Sequence, residues 1–225
     1  MKFTFVTLFP NLIEPYFHDS ILKRAIESNF ISYEFYNLRD FTTNKHKKVD
    51  DQMVGGGAGM LLLCQPLFDC LNEIKSKDSD AYIIFPLAAA KPFRQNDAKR
   101  LAKKKNIVFV SGRYEGIDER VIEKYANEVF SIGEFVLTGG ELPSLVMADA
   151  ISRNVESVLG NADSLDVESY ENNLLEAPSF TKPEIFQKLS VVKEFLKGNH
   201  SKISDLKIQM SKCKTKYYRP NKEKR

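Results

Sequence analysis

Residues 1–160 alternate between short apolar runs and amphipathic segments. Continuous apolar runs such as AYIIFP (81–86) and NIVFVSG (106–112) are typical of parallel strands that are buried on both faces. The same pattern predicts further strands over 2–9, 31–38 and 128–133, and helices over 20–30, 65–76, 94–105, 118–126 and 141–154. Because strands and helices alternate, the sequence predicts an α/β fold with a mostly parallel sheet.

The pattern changes after residue 160. Residues 161–172 are rich in Asp, Ser, Asn and Glu, which predicts an interdomain linker or loop. From residue 182 onward apolar residues return at helical spacing, in KPEIFQKL, in SVVKEFLK and in a long segment that begins at Asn199. The sequence therefore predicts two domains, an α/β domain over 1–160 and a small all-α domain over 173–225.

The composition is that of a globular protein without a membrane span. Hydrophobic residues make up 43% and charged residues 28% of the chain, and no apolar run approaches the roughly 18 residues that a membrane span needs. The N-terminal segment alternates apolar residues after a single Lys, which favours a buried strand over a signal peptide. Three cysteines without a C-x-x-C pair indicate a reducing cytoplasm, and three scattered histidines argue against zinc, so no metal site is predicted.

Positive charge is concentrated at the C-terminus. The chain carries a net charge of +3, whereas its last fourteen residues, KCKTKYYRPNKEKR, carry seven Lys or Arg and one Glu. The rest of the chain is therefore slightly acidic. A basic tail that includes tyrosines suits a phosphate backbone, and a solubilising terminus explains the same charge equally well.

Three glycine-rich loops stand out, over 49–60, 111–120 and 131–143. None contains the G-x-x-x-x-G-K-[ST] or the complete G-x-G-x-x-G signature, which argues against a nucleotide kinase or a dinucleotide-binding dehydrogenase. The second and third loops follow predicted parallel strands, at the sheet edge where open α/β folds bind ligands. Simple turns explain any one of these loops, but three in one domain favour a site where the backbone approaches a ligand closely.

Several motifs together resemble one family. RDFTTNKHKKVDDQMVGGGAGM, VSGRYEGIDERV, SIGEFVLTGGELP and KPEIF…GNH, in this order along the chain, are similar to motifs of the bacterial tRNA (guanine-N1)-methyltransferases that modify guanosine-37 beside the anticodon. The resemblance implies a SPOUT-type deep trefoil knot. Threaded chains are rare, so the pattern of strands and helices alone would not suggest a knot. It also implies a homodimer with active sites at the subunit interface, S-adenosylmethionine as methyl donor, a cytoplasmic location and a helical domain that binds tRNA. Mg²⁺ is suggested as a further requirement.

Carried over by position, the resemblance assigns the donor to loops 86–90, 112–116 and 131–143. The residues that it implies for cofactor binding are Pro86, Leu87, Ala88, Gly112, Tyr114, Glu115, Ile132, Gly133, Glu134, Phe135, Val136, Leu137, Gly139, Gly140 and Pro143. One departure concerns FPLAAAKPF (85–93), where many relatives have a Pro-Gln-Gly turn. In this loop we therefore expect the donor to be contacted by the backbone of residues 86–90.

Two side chains are expected to carry the chemistry. Methylation of guanine N1 requires removal of its proton, for which a positioned base is useful, and negative charge then develops on O6, where a cation is useful. The resemblance gives Arg153 as the cation, whereas a helix-end charge facing solvent is the plainer interpretation. It gives Glu168 as the base, in Glu-Ser-Tyr where relatives have Asp-Ser-Phe or Asp-Ser-His. Asp163 and Asp166 are alternative bases, and an acidic linker is the plainer interpretation.

The RNA contacts are expected from two sources. The resemblance implies His46, Asp50, Gly59 and Arg113 as RNA-binding residues, and a carboxylate at Asp50 can accept hydrogen bonds from guanine N1–H and N2–H₂. The basic segments 39–48 and 94–105 supply charges that position a phosphate backbone without reading its sequence. The target base has to be flipped out of its stack to reach the methyl group.

Other functions fit parts of the pattern. A ribose 2′-O-methyltransferase of the same fold needs no base that acts on N1–H. A non-catalytic RNA-binding module would have empty glycine turns and no affinity for the donor. An NAD-type oxidoreductase is disfavoured by the missing fingerprint.

Overall fold

The computed structural model describes residues 1–160 and 168–220. These residues form two compact units, and the boundary lies after Gly160. The first unit contains, in chain order, β1 (Lys2–Thr7), α1 (Ser20–Glu27), β2 (Ser32–Asn37), β3 (Asp50–Gln52), β4 (Met60–Leu62), α2 (Cys64–Lys77), β5 (Tyr82–Pro86), α3 (Gln95–Leu101), β6 (Asn106–Val110), α4 (Glu119–Tyr125), β7 (Glu128–Phe130) and α5 (Glu141–Ser152). Short 3-10 helices lie at Pro10–Leu12, Glu14–His18 and Leu38–Asp40.

Five strands form the central sheet, in the order β2-β1-β6-β5-β7. Every pairing in this sheet is parallel; β1 pairs with β2 from Lys2↔Ser32 to Thr7↔Asn37, and β5 pairs with both β6 and β7. The prediction of an α/β fold with a mostly parallel sheet is confirmed. Since β6, β5 and β7 are neighbours and run in the same direction, the segments that follow them leave from one edge of the sheet.

Helices cover both faces of the sheet, which explains why its central strands read as continuous apolar runs. One face packs Phe3, Phe5 and Phe109 against α1, α3 and α5, and the rings of Phe5 and Phe109 stack with centroids 5.6 Å apart. The other face packs residues such as Val108 and Val110 against α2 and α4. Each of these side chains is fully buried.

A charged cluster lies where β7 begins. Glu128 is 13% exposed and contacts the guanidinium of Arg100 at 2.8 Å and the ammonium of Lys91 at 2.7 Å. It also accepts a hydrogen bond of 2.7 Å from the hydroxyl of Tyr82. Burial alone would raise the pKa of Glu128, but these three partners outweigh it and lower the pKa to about 2. The cluster ties β5, α3 and the segment after β5 to β7.

Glu128→Gln is expected to lower the free energy of unfolding by about 1–3 kcal/mol at pH 7, because Arg100 and Lys91 lose a mostly buried anionic partner. A carboxyl whose pKa is lowered by folding stabilises the protein at pH values above its ordinary pKa of 4.5. This contribution disappears as the pH falls toward the folded-state pKa of about 2. Urea unfolding at several pH values checks this. The difference from the wild type should shrink below pH 4.5, and a difference that is constant with pH would contradict the ion-pair interpretation. Glu123→Gln, at an exposed position of α4, is the matched control.

The second unit contains β8 (Ile185–Phe186), β9 (Leu189–Ser190) and α6 (His200–Tyr218), with 3-10 helices at Glu171–Asn173 and Lys193–Leu196. The helix predicted from Asn199 is present as α6, and the side chain of Asn199 caps it by accepting from the amide of Lys202 at 3.1 Å.

The helix predicted over 182–189 is wrong, and so is an all-α second domain, while the segment 190–197 contains a short 3-10 helix at Lys193–Leu196. Residues 185–190 form a β-hairpin, with Ile185 paired to Ser190. Gln187 and Lys188 both have positive φ, 47° and 68°, as a two-residue type I′ turn requires. The apolar side chains of the hairpin are more than 60% exposed, so their helix-like spacing does not mark a buried face.

The hairpin of β3 and β4 was not predicted either. Its strands have three residues each, and the first is Asp-Asp-Gln, which shows no apolar alternation. The periodicity that marks a strand is therefore absent from the sequence, and the pairing is visible only in the ladder from Asp50↔Leu62 to Gln52↔Met60. Among the described residues, no helix combines the length and apolar character that crossing a membrane requires.

Candidate functional site

Three segments line an open cavity at the carboxyl edge of the sheet. They follow β5, β6 and β7 and correspond to the three loops expected to bind a cofactor. Thirteen of the fifteen residues in that expectation line the cavity, whereas Gly133 and Glu134 do not. Four further residues line the cavity: Arg113, Gly116 and Ser131 lie within the expected loops without having been named for the cofactor, and Phe130 directly precedes the third loop. The parallel strand order therefore brings the three glycine-rich or alanine-rich segments together.

The segment after β5 holds the end of β7 from two sides. The carbonyl of Phe130 accepts from the amide of Leu87 at 2.9 Å, while Ser131 donates to the carbonyl of Lys91 and accepts from the amide of Phe93. Adjacent residues of an extended strand point their peptide groups to opposite sides. Residues 87–93 thus bond to both edges of the chain at 130–131, and this fixes the cavity wall through the backbone.

Gly140 makes a close contact between two of the loops. Its amide donates to the carbonyl of Gly112 at 2.8 Å. A Cβ at Gly140 would lie 2.7 Å from the Cα of Ser111 and 2.8 Å from the amide nitrogen of Gly112. Both are backbone atoms, so no side-chain rotation could relieve the contact. The hydroxyl of Ser144 reinforces the junction by donating to the carbonyl of Gly140 at 2.7 Å.

Gly140→Ala is expected to destabilise the first unit by about 1–3 kcal/mol, because the two loops must separate to admit the methyl group. Gly160→Ala is the matched control, since nothing lies within 4 Å of a Cβ built there. Urea unfolding of both variants checks the difference. Equal stability of the two variants would contradict the close contact of Gly140 with the backbone of Ser111 and Gly112.

A buried ion pair stabilises the cavity wall. The Nε atom of Arg113 lies 2.9 Å from the Oε2 atom of Glu141, which is only 2% exposed. The N–H does not point along that line, so this is an ion contact and not an aligned hydrogen bond. The other oxygen of Glu141 accepts from the hydroxyl of Thr7 at 2.7 Å. Arg113 also donates to the carbonyl of Thr138 at 3.2 Å.

These contacts concern two residues. Arg113 lies in the cavity wall with its side chain 17% exposed and paired to Glu141, and its expected contact with RNA stays a prediction. Glu141 was not anticipated as a site residue. In a sequence, an acidic residue in the first turn of a helix is explained by the helix dipole alone, so the pattern gave no signal of this pair.

The first glycine loop reaches the cavity through Glu115. The amide of Glu115 donates to the carbonyl of Met60 at 2.9 Å, and the amide of Leu62 donates to the carbonyl of Gly116 at 3.0 Å. Gly59 has a φ of +86°, and a Cβ there would lie 2.5 Å from a carboxylate oxygen of Glu115. Asp50 is half-buried on β3 of the same hairpin, while His46 lies on the exposed segment before it.

The two expected catalytic residues lie in different units. Arg153 caps the C-terminal end of α5, and its amide donates to the carbonyl of Asp149 at 3.1 Å. Burial raises the pKa of Asp149, and the charge of Arg153 and a hydrogen bond from Tyr16 act in the opposite direction. Glu168 belongs to the second unit. The alternative bases, Asp163 and Asp166, lie outside the described residues.

Within residues 1–160 and 168–220, no three His, Cys, Asp or Glu side chains gather as metal ligands would. The cavity is instead lined by glycine backbone, by apolar side chains and by one exposed carboxylate, that of Glu115. A parallel sheet with such a cavity at its carboxyl edge is typical of α/β enzymes that bind an organic ligand.

Comparison with known proteins identifies the class more closely. The whole chain, residues 1–225, matches the family described as tRNA (Guanine-1)-methyltransferase TrmD. The chain is 66% identical over 220 residues to a tRNA (guanine-N(1)-)-methyltransferase of Sulfurimonas denitrificans, an alignment that covers 98% of this chain and 95% of the relative. Proteins of the same name from a Sulfurovum species and from Campylobacter curvus are 65% and 62% identical over 221 residues, with 97% and 94% of their length covered.

The chain therefore belongs to the tRNA (guanine-1)-methyltransferase family of enzymes. The family that the sequence motifs suggested is confirmed.

Proposed function

We propose that the chain transfers a methyl group from S-adenosylmethionine to N1 of guanosine-37 in tRNA. The observation that carries this proposal is the convergence of the loops after β5, β6 and β7 on one cavity, in a chain that belongs to this methyltransferase family. Because the proposed substrate is tRNA, the proposal includes a cytoplasmic location.

The cavity residues fit the proposed donor. Leu87, Ile132 and Leu137 provide apolar walls for an adenine ring, and glycine backbone between them provides hydrogen-bonding groups without side chains in the way. The carboxylate of Glu115 suits the positive charge that the donor carries. When bound, S-adenosylmethionine supplies an electrophilic methyl group on sulfur. The residues of the chain would hold the donor and orient the guanine.

Proton removal is assigned to Glu168 and charge stabilisation to Arg153. The guanine N1 would lose its proton to the carboxylate of Glu168, and the electron pair of that N–H bond would form the new N–C bond. The electron pair of the S–CH₃ bond that breaks would stay on sulfur, which would leave as a neutral thioether. The guanidinium of Arg153 stabilises the negative charge that develops on O6. A positioned general base contributes on the order of 10²–10⁴ in rate, and electrostatic stabilisation of a developing oxyanion contributes about 10²–10³.

The trefoil knot and the homodimer are part of the same proposal. Hydrogen bonds from residues 87–93 to both sides of the chain at 130–131 support a knotted path, in which this segment encircles the end of β7. An exposed apolar surface supports the dimer: Leu142 and Val146 on α5 are 55% and 42% exposed, and Leu12 is 59% exposed. In such a dimer, the active sites would form at the subunit interface.

The remaining expected residues are assigned to RNA. The exposed lysines of segment 45–48, together with His46, would contact phosphates, while Asp50 and Gly59 of the hairpin beside Glu115 would recognise guanine edges. Residues 173–225, which carry α6 and the basic C-terminus, form the proposed tRNA-binding domain. No step is assigned to Mg²⁺, since the described residues do not gather acidic ligands for it.

The test uses the purified protein, labelled S-adenosylmethionine and tRNA transcripts with G or A at position 37. Label is expected only with G37, and nuclease digestion should recover it as 1-methylguanosine. Recovery as a 2′-O-methylated nucleoside would favour the ribose methyltransferase instead. Binding of tRNA without any transfer of label would favour a non-catalytic RNA-binding module.

A further inference from the structure

The segment that carries Glu168 is a compact turn. The amide of Tyr170 donates to the carbonyl of Leu174 at 2.6 Å, and the amide of Glu176 donates to the hydroxyl of Ser169 at 3.2 Å. Tyr170 has a φ of +82°, in a region that a residue with a side chain rarely adopts. Such a conformation persists only where surrounding contacts hold it.

The end of α6 provides those contacts. Thr215 accepts from the amide of Leu175 at 2.8 Å through its hydroxyl, and the hydroxyl of Ser211, one turn earlier, donates to the carbonyl of Leu175. Arg219 follows α6 and donates from Nη2 to the hydroxyl of Tyr170 at 3.1 Å. Its guanidinium carbon also lies 4.7 Å from the centre of the Tyr170 ring.

We infer that Arg219 is a positioning residue for Glu168. The inference rests on the proposed function, in which Glu168 is the base. Arg219 holds Tyr170 by both its ring and its hydroxyl, and Tyr170 is two residues from Glu168 within the same turn. A base must lie within hydrogen-bond reach of the proton it removes, so a small displacement of this turn lowers the rate. The half-buried Arg219 thereby connects the basic C-terminus to the chemistry.

A different role for Arg219 is a direct contact with a tRNA phosphate. That role requires nothing from Tyr170, and its loss would weaken tRNA binding and reduce the salt dependence of binding. The positioning role requires that Arg219 and Tyr170 act as one unit. The two roles are therefore separated by a double-mutant cycle.

The experiment measures single-turnover methylation at saturating tRNA and donor for Arg219→Met, Tyr170→Ala and the double variant. Each single variant is expected to lose about tenfold in rate, and the double variant should lose about the same, since residues that act together are not additive. The affinity for S-adenosylmethionine and the thermal midpoint should stay near those of the wild type. Lys216→Met, at an exposed basic position of α6, is the control for lost positive charge and should change only tRNA affinity.

Tyr170→Phe keeps the ring and removes the hydroxyl that accepts from Arg219, so it tests the same contact if a larger truncation prevents folding. It should slow the single-turnover rate by less than Tyr170→Ala does. Additive losses in the double variant, or a loss at Arg219 confined to tRNA affinity as for Lys216→Met, would overturn the inference. If Glu168→Gln kept the wild-type rate, the proposed base would be wrong instead, which is a separate outcome.

Discussion

Glu168→Gln is expected to reduce the single-turnover rate of methylation by on the order of 10²–10⁴, because the amide keeps the size of the side chain but cannot accept the N1 proton. Binding of S-adenosylmethionine should be unchanged, since the cavity proposed for the donor is built by the first unit. Rapid-quench measurements with saturating tRNA and donor check the rate. Equilibrium binding measurements check the affinity for the donor.

Glu184→Gln is the matched control, because Glu184 is an exposed carboxylate of the same unit. It should keep the wild-type rate. A Glu168→Gln variant with unimpaired single-turnover methylation would rule out Glu168 as the base. Asp163 and Asp166 would then be the candidate bases.

Arg153→Met should lower the same rate by about 10²–10³, since the charge that develops on O6 loses its cation. Met keeps an unbranched stem of similar length, so packing at the end of α5 should change little. Arg153→Lys, which keeps a positive charge without the planar fork, should fall between Met and the wild type.

Lys23→Met on α1 is the control for a loss of charge at an exposed position of the first unit. It should leave the rate unchanged. If Arg153→Met retained the wild-type rate while donor binding was intact, Arg153 would be an ordinary solvated residue at a helix end.

The central sheet was predictable because its inner strands are buried on both faces. Residues such as Ile83, Ile84 and Phe109 therefore form runs with no polar alternation, and these runs stand out in a sequence. Helix ends were predicted to within a few residues; α3, for instance, ends at Leu101 and not at 105. The continuous basic run 103–105 has no apolar position that would mark where the helix stops.

Two short hairpins could not be predicted from periodicity. β3 consists of polar residues, and β8 and β9 expose apolar ones, so neither shows the alternation of a half-buried strand. The turn at Gln187 and Lys188 lacks the Asn-Gly or Asp-Gly signature that usually announces a hairpin.

The cavity was located from the sequence because a resemblance gave the loops and parallel strand order places them at one edge. The contacts that shape it are long-range and have no local signature. Arg113 and Glu141 lie 28 positions apart and meet only in the fold. Likewise, Gly140 has to be glycine because of the backbone of Ser111 and Gly112, which are close to it in space and not in sequence.

The central claim is that the loops after β5, β6 and β7 bind S-adenosylmethionine, and calorimetric titration of the protein with this donor tests it most directly. Saturable binding is expected for the wild type and for Gly160→Ala, with clearly weaker binding for Gly140→Ala. An absence of binding heat in the wild type at several temperatures, or equal affinity in all three proteins, would contradict the claim.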